Sequence, residues 1–247
     1  MSGTNNIKLL ILGAAGDMGS YVLRKSAEYN IYSVITIGDI NEKRSKILIE
    51  ELNDPRINFR KVNAFDKDNL IELMKEHDII ISCIGPFYIF GPLIAKAAIE
   101  ARRPLIDICD DYSATQEILN LDDEAKKAGI PIFVGYGWTP GISNILTRYG
   151  YEKLDKNYPI YVNIAWMGDV EDSEGLAVVM HVFYALIGEI PSFMDGKLIN
   201  IPAGKGYHKL RFPDPIGEAI VFDCGHPEHH VGDRWGDGGG AAADDLL

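Results

Sequence analysis

Three glycines near the amino end, Gly13, Gly16 and Gly19, carry the sharpest chemical signal in this 247-residue chain. They follow an apolar run, Leu9-Leu10-Ile11-Leu12, and precede a segment of helical spacing, so the stretch reads as strand, tight turn, helix. A side chain at Gly13 would obstruct the turn, one at Gly16 would hold a pyrophosphate off the backbone, and one at Gly19 would push the helix off the sheet. The first helical N–H groups, around Asp17 and Met18, lack intrahelical partners and lie at the positive end of the helix, which suits a phosphate. The spacing is G-x-x-G-x-x-G, with Ala15 at the position of the usual middle glycine. A glycine-rich turn that binds nothing is the alternative. Against it stands Asp39, 26 positions after Gly13 at the end of a second apolar run, where a carboxylate accepts hydrogen bonds from ribose hydroxyls. A carboxylate there repels a 2′-phosphate, which favours NAD. Lys43 and Arg44 close by leave NADP open, their other reading being solvated helix charges.

Two further places belong to the same ligand. Asp66 ends a third apolar stretch and can meet the adenine amino group, cap the following helix, or do both. Ser82-Cys83-Ile84-Gly85-Pro86-Phe87 follows a fourth run, and its Gly85-Pro86 turns the chain out at the carboxyl edge of the sheet, where ligands of such folds collect. The nicotinamide half is placed at Cys83, Ile84, Gly85 and Pro86.

These loops need a scaffold. From Ile7 to about Tyr136, short apolar runs alternate with helical segments, the pattern of a doubly wound parallel sheet of the α/β class. The expected strands are Ile7–Leu12, Ser33–Gly38, Asn58–Val62, Asp78–Ile84, Pro104–Ile108 and Pro131–Tyr136, with helices starting near Gly19, Asn41, Lys67, Pro92 and Ala114. After Gly141 the pattern changes to a strand over Ile160–Met167, a helix over Glu174–Ile187, and a hairpin turning at Asp195-Gly196. Lys209–Phe212 and Ala219–Phe222 are expected to complete the sheet of this second, α+β domain. The resulting division is 1–145 for the dinucleotide-binding domain, 146–230 for the substrate and dimerisation domain, and 231–247 for an irregular tail rich in Gly, Ala and Asp.

Bulk composition narrows the partners. With 24 Lys and Arg against 36 Asp and Glu, the net charge of −12 opposes a nucleic-acid backbone or an anionic membrane surface. No run approaches the ~18 apolar residues of a membrane-crossing helix. The polar start lacks the form of a signal peptide, so a cytoplasmic location is expected. Three scattered cysteines, Cys83, Cys109 and Cys224, give no disulfide framework.

Together the glycine turn, Asp39, the Gly85-Pro86-Phe87 loop, Pro104-Leu105-Ile106-Asp107, Ala128-Gly129-Ile130 and Gly137-Trp138-Thr139-Pro140-Gly141-Ile142-Ser143-Asn144 resemble the saccharopine dehydrogenase-like family of nicotinamide-dependent oxidoreductases. Asp195-Gly196-Lys197 and Gly225-His226-Pro227-Glu228 resemble segments of that family's second domain. The G-x-x-P-G-I-x-N form of the Gly137–Asn144 motif is nearest to the lysine 6-dehydrogenase-like subgroup. The resemblance implies hydride transfer between the nicotinamide and a carbon bearing an amine or imine, a small amino acid or amine as substrate, and a homodimer. Asp107 and Asp111 are the carboxylates proposed to bind the amino group and manage the proton, since a desolvated carboxyl beside a like charge gains a higher pKa. Helix capping by Asp110 and Asp111 is the alternative. Phe87, Trp138, Thr139, Pro140, Gly141 and Asn144 are assigned to the substrate.

The chain also departs from the pattern. Thr139 stands where saccharopine reductases carry an acidic residue, and their second-domain cysteine is absent near Met167, so a smaller amino acid or amine is as good a substrate as saccharopine. Family members usually continue well past Gly-His-Pro-Glu, and the C-terminus is read as truncated or altered. A second class of function therefore stands beside the enzyme: a dinucleotide-binding remnant or sensor without turnover. No metal centre is expected; Cys224, His226, His229 and His230 form the nearest metal-like group, without a second matching pair. His226 is read as fixing a turn, and His181 as a partly buried histidine, with a site base as its alternative. Cys83 and Cys109 are read as packing residues.

Overall fold

Uninterrupted apolar runs become the strands of a six-stranded parallel sheet in the computed structural model, which describes residues 6–155, 160–165, 175–194, 197–228 and 241–246. The strands are β1 (Ile7–Leu12), β2 (Tyr32–Asp39), β3 (Ile57–Lys61), β4 (Ile79–Ser82), β5 (Leu105–Asp107) and β6 (Ile132–Phe133), in the order β3-β2-β1-β4-β5-β6. The order reverses between β1 and β4, so the loops leaving these two strands open the crevice where ligands of doubly wound sheets bind. Helices α1 (Asp17–Ala27), α2 (Glu42–Leu52), α3 (Lys67–Lys75), α4 (Phe87–Ala101), α5 (Tyr112–Leu119) and α6 (Asp122–Ala128) connect them.

Alternation along β1 explains why both faces need helices. Leu9 and Ile11 pack with Leu23 of α1 and Leu48 of α2, whereas Leu10 and Leu12 pack with Leu70 and Met74 of α3 and Ile94 and Ala98 of α4. All four β1 residues are fully buried. At roughly 1.5–3 kcal/mol for each buried Leu or Ile, this strand anchors both cores and holds the glycine turn at its end.

Clustering of the chain gives two compact units, the first running to Cys109 and including Glu117–Tyr136, the second comprising Asp110–Gln116 and everything from Gly137 onward. The second holds α7 (Ile142–Lys153), β7 (Ile160–Ala165) and α8 (Leu176–Leu186). Its remaining strands are β8 (Glu189–Met194), β9 (Lys197–Pro202), β10 (Tyr207–Arg211), β11 (Glu218–Phe222) and β12 (Ala241–Leu246). β8 pairs antiparallel with β9, and β10 with β11.

Several expectations need correction. α4 begins five residues before Pro92, because the Pro86 carbonyl accepts the Ile89 and Phe90 N–H groups and opens the helix there. Pro92 then sits inside the helix, at the cost of one backbone hydrogen bond. Strands β10 and β11 form their own two-stranded sheet among the described residues, separate from the β8–β9 hairpin. Ala241–Leu246, read from composition as irregular, is a strand parallel to β7, since ladder pairing uses backbone groups that every one of these residues possesses. Asp195-Gly196, Met167, His229 and His230 lie outside the described residues.

Candidate active site

The glycine turn is built as its sequence demands. Gly13 has φ +74°, and a Cβ there would lie 2.9 Å from the Cys83 carbonyl oxygen on the neighbouring β4 loop. A Cβ at Gly19 would lie 2.0 Å from the Gly13 carbonyl oxygen, so α1 can only approach the turn as closely as it does with glycine at that point. Gly16 is exposed and occupies the N-cap of α1, with no side-chain cap among the described residues. The first-turn N–H groups at Asp17 and Met18 are thereby suited to an oxyanion.

Asp39 is tied into this turn. Its Oδ2 accepts the Ala15 N–H at 2.9 Å and its Oδ1 accepts the Asn41 N–H at 2.8 Å. The carboxylate thus fixes the turn against the end of β2. It also engages the Ala15 N–H, leaving the N–H groups of the following helix start to face a phosphate. Arg44, one of the two cations that keep a 2′-phosphate in play, pairs with Asp17 at 3.1 Å. Asp66 caps α3 by accepting the Asn69 N–H at 3.2 Å. These features make a cradle that fits a dinucleotide pyrophosphate: a loop with no room for added side chains, an uncapped helix start and a fixed acid at the end of β2.

The β4 loop lies beside β5. Ser82 and Asp107 are paired in register, and the buried Asp107 accepts the Cys109 N–H at 2.8 Å through Oδ1. Burial, with a smaller contribution from the Asp107 charge, pushes the Cys83 thiol up to about 12, so Cys83 is protonated and no nucleophile at neutral pH.

In the second unit, residues far apart in sequence form a polar cluster. The buried Asp111 meets His181 Nδ1 at 2.7 Å through Oδ1, and Asp110 Oδ1 lies 3.3 Å from the same nitrogen. His226 Nδ1 meets Glu228 Oε2 at 2.5 Å, while Glu228 Oε1 accepts hydrogen bonds from Thr139 Oγ1 at 2.5 Å and Ser143 Oγ at 2.8 Å. The two imidazole rings stand edge to face, 5.9 Å apart. Burial disfavours the His181 imidazolium, but the hydrogen bond to Asp111 and the charges of Asp110 and Asp111 outweigh it and raise its pKa. Burial raises the Asp110 carboxyl above the usual range. Burial also opposes the Glu228 charge, yet the hydrogen bond and charge of His226, with the two hydroxyl donors, hold its carboxyl below the usual range.

The structure therefore brings Asp111 to His181 and Thr139 to Glu228, whereas Asp107 belongs to the first unit. Asn144 turns its side chain back, its Oδ1 accepting the Gly141 N–H at 2.7 Å. Pro140 is buried, Trp138 is 70% exposed and Phe87 is half-buried at the start of α4. Asp110, Ser143 and Glu228 are absent from the sequence-derived site. Glu228 was signalled by Gly-His-Pro-Glu, and Ser143 by its place in the Pro140–Asn144 segment. No spacing rule points to a contact over |i−j| = 70 such as that between Asp111 and His181.

Residues 9–133 match the family model described as the saccharopine dehydrogenase NADP binding domain, and the chain belongs to that family. Among curated relatives, the lipid droplet localized protein of Caenorhabditis elegans is 23% identical over 159 residues, covering 61% of this chain and 36% of that protein. The carboxyaminopropylagmatine dehydrogenase of Synechocystis sp. is 22% identical over 153 residues, covering 58% of this chain and 37% of the relative. The carboxynorspermidine synthase of Vibrio alginolyticus is 25% identical over 166 residues, covering 59% and 40% respectively. The matches span well under half the length of these relatives. Apo saccharopine dehydrogenase (L-Glu forming) from Saccharomyces cerevisiae superposes with a TM-score of 0.66 at 17% identity, over 98% of this chain and 55% of that one, a likeness of fold. Among the described residues, no helix is long and apolar enough to cross a membrane.

Proposed function

We propose that this protein is an NAD-dependent oxidoreductase acting on the carbon–nitrogen bond of a small amino acid or amine. The observation that carries the reading is the Gly13–Gly19 turn locked to Asp39, a cradle shaped for a dinucleotide within a family of nicotinamide oxidoreductases. A bound nicotinamide would supply hydride chemistry, accepting a hydride from the carbon bearing the amine or returning one to an imine. The chain's own residues supply the rest. The α1 N-terminus and Gly16 receive the pyrophosphate, Asp39 receives the ribose, and its fixed charge disfavours a 2′-phosphate while Arg44 is held by Asp17. Cys83 to Pro86 line the nicotinamide side, and Asp107, in register with Ser82 at the start of that loop, takes the proton that leaves nitrogen as the C=N bond forms. Asp111 recognises the substrate's amino group by charge, with Trp138 and Thr139 of the same unit bounding the substrate.

Asp107→Asn tests the assignment. Turnover across a panel of amino acids and polyamines is expected to fall by roughly 100-fold or more, with NAD affinity nearly intact. Unchanged turnover removes Asp107 from the chemistry. Tight NAD binding by the unmodified chain, with no turnover on any member of the panel, would favour the sensor reading.

A further inference from the structure

The polar cluster of the second unit holds a donor set that amine recognition does not explain. One ligand atom from each of Asp110, His181 and His226 lies within 4.8 Å of the other two. Bonds of about 2.0–2.2 Å in a tetrahedral site space their ligands by roughly 3.3–3.5 Å, so the three atoms need to converge by no more than about an ångström and a half to share one ion. Both histidines are built as metal ligands commonly are. A carboxylate engages Nδ1 of each ring, Asp111 on His181 and Glu228 on His226, which fixes ring orientation. Glu228 is itself held by Thr139 and Ser143, so the support extends another layer outward.

A second observation is independent of the histidines. Asp110 leaves 31% of its side chain exposed, but its Oδ1 is shut off from water and accepts no hydrogen bond among the described residues. A buried carboxylate oxygen whose one cationic neighbour stands off at 3.3 Å is under-satisfied, and a cation at that point would satisfy it.

We propose that Asp110, His181 and His226 bind one divalent transition-metal ion of the zinc class, leaving a coordination position open to water or to a nitrogen donor. Two imidazoles and one carboxylate suit zinc and its first-row neighbours and suit calcium or magnesium poorly. The inference rests on the cluster's geometry. It does not lean on the dehydrogenase reading, and water would fill the open position.

The experiment uses the full chain without a histidine tag, stripped with chelator, and zinc alone as the probe, with no dinucleotide or substrate present. Isothermal titration is expected to give one zinc per chain, and cobalt in its place the intense visible bands of a low-coordinate N/O site. His181→Ala and His226→Ala should each weaken zinc binding by roughly 100-fold or more, and Glu228→Gln by roughly 10- to 100-fold. The near-isosteric Asp110→Asn, less disturbing to the fold, should weaken it as well, and His208→Ala, outside the cluster, should leave it unchanged. NAD titration of the same samples reports separately on the first unit, so loss of zinc binding and failure of the dinucleotide reading are told apart. No stoichiometric zinc in the unmodified chain, or a full equivalent that survives both Asp110→Asn and His226→Ala, would overturn the proposal.

Discussion

Asp39 carries a structural role, and the proposed hold on a ribose falls on the same carboxylate. By accepting the Ala15 and Asn41 N–H groups it sets the path of the glycine turn before any ligand arrives. The acid 26 residues after Gly13 was legible in the sequence. Its bond to Ala15 was not, because the motif states where a carboxylate must be and not which backbone donors it will meet. The glycines are more literal. Gly19→Ala places a methyl 2.0 Å from a backbone oxygen, so α1 must shift, and a loss of roughly 1–3 kcal/mol of stability together with a fall in NAD affinity is expected from urea unfolding and NAD titration. His77 offers a test independent of any ligand. Its Nδ1 donates to the Leu73 carbonyl at 2.8 Å, and its Nε2 shares a hydrogen bond with the Thr36 hydroxyl at 2.7 Å. Burial lowers its pKa below the ordinary 6.5. The unfolded chain then binds a proton more readily than the folded one, and stability supplied by the neutral ring is full above pH 6.5 and declines as pH falls through the window beneath it. Urea midpoints measured against pH should show this decline, and His77→Gln should flatten it.

Elements built from local pattern are those the sequence specifies best. β1 matches its expected span, Ile7–Leu12, because Leu9 to Leu12 are fully buried and the single exposed Lys8 does not interrupt the strand. β4 and β6 are shorter than their apolar runs, since the chain must leave the sheet before the turn residues begin. α6, whose Asp-Asp-Glu start and Lys-Lys end match the helix dipole, is too short to show a periodic face and escaped the pattern. Pairings in the second unit were misread for another reason. Alternation identifies a strand but not its partner, so β10 and β11 were recognisable while their separation from β8 and β9 was not. Asp66 at the start of α3 gives the element-scale test. If capping is its main role, Asp66→Ala costs about 1 kcal/mol in thermal or urea unfolding and leaves NAD affinity within about twofold. A selective loss of affinity with no loss of stability would instead assign it to the adenine.

For the molecule as a whole, the division of chemistry follows the division of the chain. The first unit carries the cradle and Asp107; the second carries Asp110, Asp111, His181, His226 and Glu228. Half of the candidate site was readable because Rossmann-type loops place steric demands on neighbouring residues, which a linear sequence displays. The other half depends on contacts such as Thr139 with Glu228, over |i−j| = 89, that only the folded chain creates. We propose that the first unit grips a dinucleotide and prefers the form without a 2′-phosphate, and isothermal titration of the full chain with NAD and with NADP is the test. One molecule of NAD per chain is expected, bound at least about tenfold more tightly than NADP, a difference of about 1.4 kcal/mol, with Asp39→Asn eroding that preference. Absence of binding heat with either dinucleotide, or a preference for NADP that Asp39→Asn leaves untouched, would contradict the account.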